Sequence, residues 1–127
     1  MGQTFLVDFE LKAGAQILDV LDRAKVRVSV AMWANLPEYG DWRLVLAGPA
    51  FDKLGDFDAY GLIHETLAAA GIRPSMTPIL MIFPMRDPFI VALRKAVGKT
   101  ESRDGMRITG YPIGDRYPVD GFVYRIK

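Results

Sequence analysis

The chain predicts an α+β domain, a two-layer sandwich in which a five-stranded mixed sheet built on two β-hairpins carries three helices in the order α-β-β-α-β-α-β-β. Three observations lead there. Residues 25–49, KVRVSVAMWANLPEYGDWRLVLAGP, hold two alternating runs around a turn rich in proline, glycine and acid, the pattern of a hairpin with a buried face. Residues 106–111 and 121–126 form a second alternating pair. Between and before them lie three stretches with apolar residues at helical spacing and cap residues at their ends. Nothing in the 127 residues reads as a linker, so residues 1–127 are one domain.

The first helix starts in an ambiguous stretch. Phe5, Val7, Phe9 and Leu11 alternate like a strand, whereas Leu11, Gly14, Ile17, Leu18, Leu21 and Ala24 make a helical stripe. We read a helix from about Asp8, with Asp8 as N-cap, Glu10 in the first turn and Arg23 and Lys25 at the negative end of the dipole. In the hairpin, Val26, Val28, Val30 and Met32 take one face, and Arg27, Ser29, Ala31 and Trp33 the other. Pairing Asn35 with Asp41 sets Met32 opposite Leu44 and Val30 opposite Leu46, giving one apolar surface across both strands.

Residues 50–55 read as a loop and Asp56 as the next N-cap. Tyr60, Ile63, Leu67 and Ala70 then stripe a helix over 57–70 that stops at Gly71. Pro74 and Pro78 bracket a connector to an inner strand at 79–83, which Pro84 ends. Asp87-Pro88 starts the third helix, because aspartate caps free N–H groups and proline at the first position has none to lose. Phe89, Ile90, Leu93, Ala96 and Val97 form its buried side, and Gly98 closes it. Residues 99–105, KTESRDG, read as a mobile polar loop. The second hairpin turns through a long loop, PIGDRYPVD, with Phe122, Tyr124 and Ile126 on one face of its last strand.

Composition removes several function classes. Without cysteine there is no disulfide framework, thiolate zinc site or cysteine nucleophile, which fits a cytoplasmic protein. Asp8 and Glu10 interrupt the N-terminus, so no signal peptide is read, and no window approaches the ~18 apolar residues of a membrane span. Met1-Gly2 opens a myristoylation motif, but Leu6 stands where serine or threonine is required. Gly98-Lys99-Thr100 has the end of a phosphate-binding loop, yet its first glycine would be residue 93, which is Leu93, and the tripeptide follows a helix. We expect no cofactor.

His64 is the only histidine, and HExxH fails at Ala68. It is a candidate general base, with Asp58 or Glu65 as partner, set against a plain packing or surface role. Glu38, Asp41, Asp52, Asp56 and Asp58 would hold magnesium if their loops converged. Ordinary turn and helix-start chemistry explains them more simply, and no metal is expected. Aromatics are more suggestive. If one sheet face lacks helices, Trp33, Tyr39, Trp42 and Tyr111, with Arg43 and Arg107, make a contact surface of the kind protein partners use.

Net charge is +1, but it is uneven. Residues 1–84 carry seven Lys/Arg against ten Asp/Glu, and residues 85–127 nine against five. Arg94, Lys95, Lys99, Arg103 and Arg107 therefore offer a nucleic-acid alternative with steep salt dependence.

The segment AMWANLPEYGDWRLVLAGPAFDKLGDFDAYGLI resembles a pattern of small uncharacterised bacterial proteins. Trp33, Pro37, Glu38, Trp42 and Leu44 give its W-x3-PE-x3-W-x-L core, Gly55, Ala59 and Tyr60 follow at a helix start, and FVYRI at 122–126 extends it. The resemblance implies an intact bacterial domain and carries no activity. The leading expectation is a non-enzymatic module that binds a protein partner or itself. Nucleic-acid contact, and a hydrolase or nuclease using His64 or the loop carboxylates, are the alternatives.

Overall fold

The computed structural model describes residues 8–127. The alternation read at Phe5 and Val7, and the N-terminal features read at Met1, Gly2 and Leu6, lie outside the described residues. Helix α1 spans Asp8–Arg23, strands β1 and β2 span Val30–Asn35 and Trp42–Ala47, and a single turn of helix, α2, covers Pro49–Asp52. Then come α3 (Asp56–Ala69), a 3₁₀ turn (Pro74–Met76), β3 (Leu80–Ile82), α4 (Pro88–Ala96), β4 (Thr100–Ile113) and β5 (Arg116–Ile126). The five strands form one mixed sheet in the order β3-β2-β1-β5-β4, with β2 and β3 parallel and the other neighbours antiparallel. The α+β class and the mixed five-stranded sheet are as the sequence predicts.

Helix placement differs from the expectation of one open sheet face. Ile17, Leu18 and Leu21 of α1 and Ile63 and Leu67 of α3 pack with Trp33, Leu44, Leu46 and Tyr124 on one side. On the other, Phe89, Ile90 and Leu93 of α4 pack with Val30, Met32, Val45, Val123 and Ile126. The reason is topological. β3 and β4 are opposite edges of the sheet, so the connection that contains α4 must cross a whole face, and α1 and α3 already occupy the first.

The first hairpin pairs one residue off the expected register: Asn35 faces Trp42, Trp33 faces Leu44 and Met32 faces Val45. Its turn closes on Leu36, whose carbonyl accepts the N–H groups of Tyr39 and Gly40, and whose side chain is buried. Gly40 is left-handed, with φ 70, so Asp41 belongs to the turn. A one-residue slip exchanges faces, and Trp33 therefore joins Leu44 under α1 and α3. The valine alternation also breaks at Ser29, since Val26 and Val28 lie with α1 and α3 while Val30 and Met32 lie with α4.

Three expected loops are structured. Within 50–55, Pro49 opens α2 and Phe51 is buried. Gly48 before it lies so close to residues 27–29 that a Cβ would stand 2.3 Å from the Arg27 carbonyl oxygen. Residues 100–101 pair with Ile126 and Arg125, and Gly105 at φ 86 lets β4 bulge and continue. Residues 112–120 form the end of the second hairpin, because Ile113 and Val119 are buried beneath α4.

The caps are partly as read. Asp87 accepts the Phe89 N–H at 2.9 Å, and Gly71 and Gly98 are left-handed as helix stops. Asp56 is the first residue of α3 and Gly55 its N-cap; Asp8 is likewise the first residue of α1. The outer edge of β3 is closed by a side chain. Tyr60 Oη accepts the Ile82 N–H at 3.1 Å and donates to the Leu80 carbonyl at 3.3 Å, taking the place of a sixth strand. No helix among the described residues is long and apolar enough to cross a membrane.

Candidate functional site

Trp33 is 2% exposed and Trp42 is 8% exposed, so neither indole belongs to an open surface. Trp42 lies 5.8 Å from the Phe122 ring, and its buried indole N–H has no hydrogen-bond partner among the described residues. Tyr39 stays exposed under the guanidinium of Arg43, 3.8 Å from its ring centroid, and Arg43 also pairs with Asp41 at 2.9 Å. Arg107 lies 5.8 Å over Phe122, and Tyr111 is exposed farther along β4. Phe122 and Arg107 continue the row of Leu44 and Trp33, whereas Arg43, next to Leu44, points to the other face. The expected aromatic and arginine surface is thus divided between two faces.

The other candidates are also dispersed. Arg94 and Lys95 end α4, and Arg94 donates to the Lys127 carbonyl. Lys99 precedes β4, while Arg103 lines a cleft beside α1, on the opposite face. His64 is half-buried on α3 and lines neither of the openings described below. Among the carboxylates, Glu38 pairs with Arg116, Asp52 accepts the Met85 N–H, and Asp56 and Asp58 sit in the first turn of α3. Among the described residues, no three His, Cys, Asp or Glu are grouped to hold a metal ion.

The structure instead forms an apolar groove between α1 and residues 72–78, with a cavity volume of about 710 Å³. Phe9, Ala13 and Ile17 form one wall, Ile72, Met76 and Pro78 the other, and Trp33 the floor. The second wall is built locally. Gly71 turns the chain so that the Ile72 N–H bonds to the Leu67 carbonyl at 2.8 Å, which folds Ile72 back under α3. The 3₁₀ turn is closed by Thr77, whose N–H bonds to the Pro74 carbonyl and whose hydroxyl bonds to that of Arg73. Lys12, Gln16 and Ser75 supply polar groups along the groove.

The floor is held rigidly. Trp33 Nε1 donates to Tyr124 Oη at 3.1 Å, and that hydroxyl donates to the Leu11 carbonyl of α1. Burial pushes the Tyr124 hydroxyl up to about 12, so it remains a neutral donor. Phe9 and Met76, on opposite walls, are 80% and 55% exposed. Two large apolar side chains thus stand in water at the mouth of a groove whose depth is hydrophobic core.

A second opening, of about 470 Å³, lies between α1 and the start of β4. Its most buried charge is Arg125, which is fully engaged by a two-pronged bond to Asp22, by Glu101 and by the Val28 carbonyl. The hydrogen bond from Arg125 holds the Asp22 carboxyl below its ordinary range. This cleft is a clamp between α1, β4 and β5, with no spare buried group to recognise a ligand.

The sequence pattern assigns Trp33 to an exposed contact face and gives no such role to Phe9, Ile72 or Met76. Two signals point to them. Phe9 falls off the stripe that α1 buries, and Met76 is an apolar residue isolated between two prolines. No family model matches this chain, and no curated protein or solved structure matches it either.

Proposed function

We propose that the chain is a binding module, non-enzymatic in its action, that takes an apolar group into the groove between α1 and residues 72–78. One observation carries the reading: exposed Phe9 and Met76 flank a concave apolar surface whose volume falls within the roughly 300–1,000 Å³ of small-molecule sites. Such a surface costs free energy in water that an occupant would recover, at about 25 cal/mol per Å² of apolar area covered. A bacterial, cytoplasmic setting belongs to the same proposal: the resemblance of residues 31–63 motivates the first part, and the second is compatible with a chain without cysteine.

The test uses the neutral dye N-phenyl-1-naphthylamine, which brightens in apolar surroundings. Wild-type protein enhances its emission and Met76→Glu, which puts a carboxylate at the groove mouth without touching the core, loses the enhancement. Equal enhancement by both proteins, with circular dichroism showing both folded, would refute the groove as the site.

A further inference from the structure

Resting on that reading, we propose that the apolar group is supplied by a second copy of this chain, in a two-fold dimer in which Phe9 of each copy enters the groove of the other. Knob and hole belong to one patch. Phe9 is 80% exposed, yet it lines the same groove as Ile17, Ile72 and Trp33, with Met76 on the facing wall. A two-fold axis brings a patch against itself, so both halves of the contact must lie side by side on one surface. Exposed aromatic and methionine side chains with little charge between them are also the make-up of a protein interface core.

Charge selects the copy over a foreign partner. Among the described residues, the groove lining carries two charged side chains, Glu10 and Lys12, of opposite sign. A partner of a single charge is attracted by one and repelled by the other. A second copy brings the same two charges in reverse order and complements both.

One crossing meets both requirements. Two α1 helices running antiparallel, with the axis level with residue 11, set Glu10 of each copy level with Lys12 of the other. The same crossing sets Phe9 level with Ala13, whose short side chain leaves room for a ring. Phe57 is the competing knob, at 90% exposure. It lies on α3 between Asp56 and Asp58, so it brings two carboxylates toward Glu10, and a contact between two different patches propagates instead of closing.

Sedimentation equilibrium of the full chain over about 1–500 μM, the range in which modest dimers dissociate, tests this. The wild-type mass is expected to rise from 14.2 kDa toward twice that value. Phe9→Glu stays at the monomer mass, whereas Phe57→Glu associates like wild type, with circular dichroism showing both folded. Glu10→Lys and Lys12→Glu each raise the dimer dissociation constant about three- to tenfold, the size of effect exposed charge pairs support. Mixed in equal amounts they recover the wild-type value, since one then carries two cations and the other two carboxylates. A wild type that is monomeric throughout overturns the dimer, while its binding of N-phenyl-1-naphthylamine leaves the groove reading standing. A dimer that survives Phe9→Glu, or that the mixed pair does not restore, overturns the proposal as well. If the wild-type monomer at the dilute end does not brighten the dye, the groove reading itself fails, and this proposal with it.

Discussion

Trp33 Nε1 and Tyr124 Oη, 91 residues apart in sequence, meet at 3.1 Å beneath the middle of α1. They can do so because residue 14 is glycine. A Cβ there would stand 2.6 Å from the indole nitrogen and 2.7 Å from the phenol oxygen. Alanine gains about 1 kcal/mol of helix propensity over glycine, but overpacking a close-packed site costs about 1–3 kcal/mol. Because the clash falls on two buried, hydrogen-bonded groups, Gly14→Ala is expected to destabilise, with a lower urea midpoint. A midpoint above wild type would show that α1 can lift off the sheet without loss.

Tyr124 also sets an alkaline limit. Burial raises its folded pKa to about 12 from an ordinary 10.0, so above pH 10 the unfolded chain releases this proton more readily than the native one. The stability it contributes is complete below pH 10 and is lost as pH climbs through about 12. Tyr124→Phe is therefore expected to have a flatter stability profile over that window, measured by denaturant midpoints at successive pH values.

Asp22 works in the opposite direction. Hydrogen bonding to Arg125 lowers its folded pKa below 3.8, so its contribution is present above that value and disappears as pH falls through the lower folded one. Its side chain is 40% exposed, which limits the effect to about 1 kcal/mol or less. Asp22→Asn should lose this amount at neutral pH and show less acid sensitivity than wild type below pH 4. Parallel acid titration curves for the two proteins would contradict the assignment.

The two tryptophans should respond differently to phenylalanine. At Trp42 the lost ring volume is offset by removing a buried N–H with no partner among the described residues, an orphan group that costs about 1–3 kcal/mol. At Trp33 the N–H is bonded and nothing offsets the loss. Trp33→Phe is expected to destabilise by at least about 1 kcal/mol more than Trp42→Phe, read from thermal or urea unfolding. Trp42→Phe would also leave Trp33 as a single fluorophore at the groove floor.

Much of the fold could be read from neighbours in sequence. The helical stripe of Ile17, Leu18 and Leu21, the Asp87-Pro88 start and the glycine stops at 71 and 98 are local signals, since a cap or a turn of helix involves residues within about four of each other. The order of the five strands and three long helices followed from them, while the single turn α2 fell where a loop was expected. Tertiary structure decided the rest. Whether Trp33 faced Leu44 or Arg43 depended on one extra residue in the turn, Asp41, and a slip of one residue changes faces. That α4 would cover the second face followed from β3 and β4 being opposite edges, a property of strand order that no single segment contains. The groove is of the same kind. Phe9 and Met76 lie 67 residues apart in sequence and share a cavity because Gly71 turns Ile72 beneath α3 and Gly14 lets α1 settle over Trp33. Alternation and caps are short-range interactions, and concave surfaces are made by long-range packing.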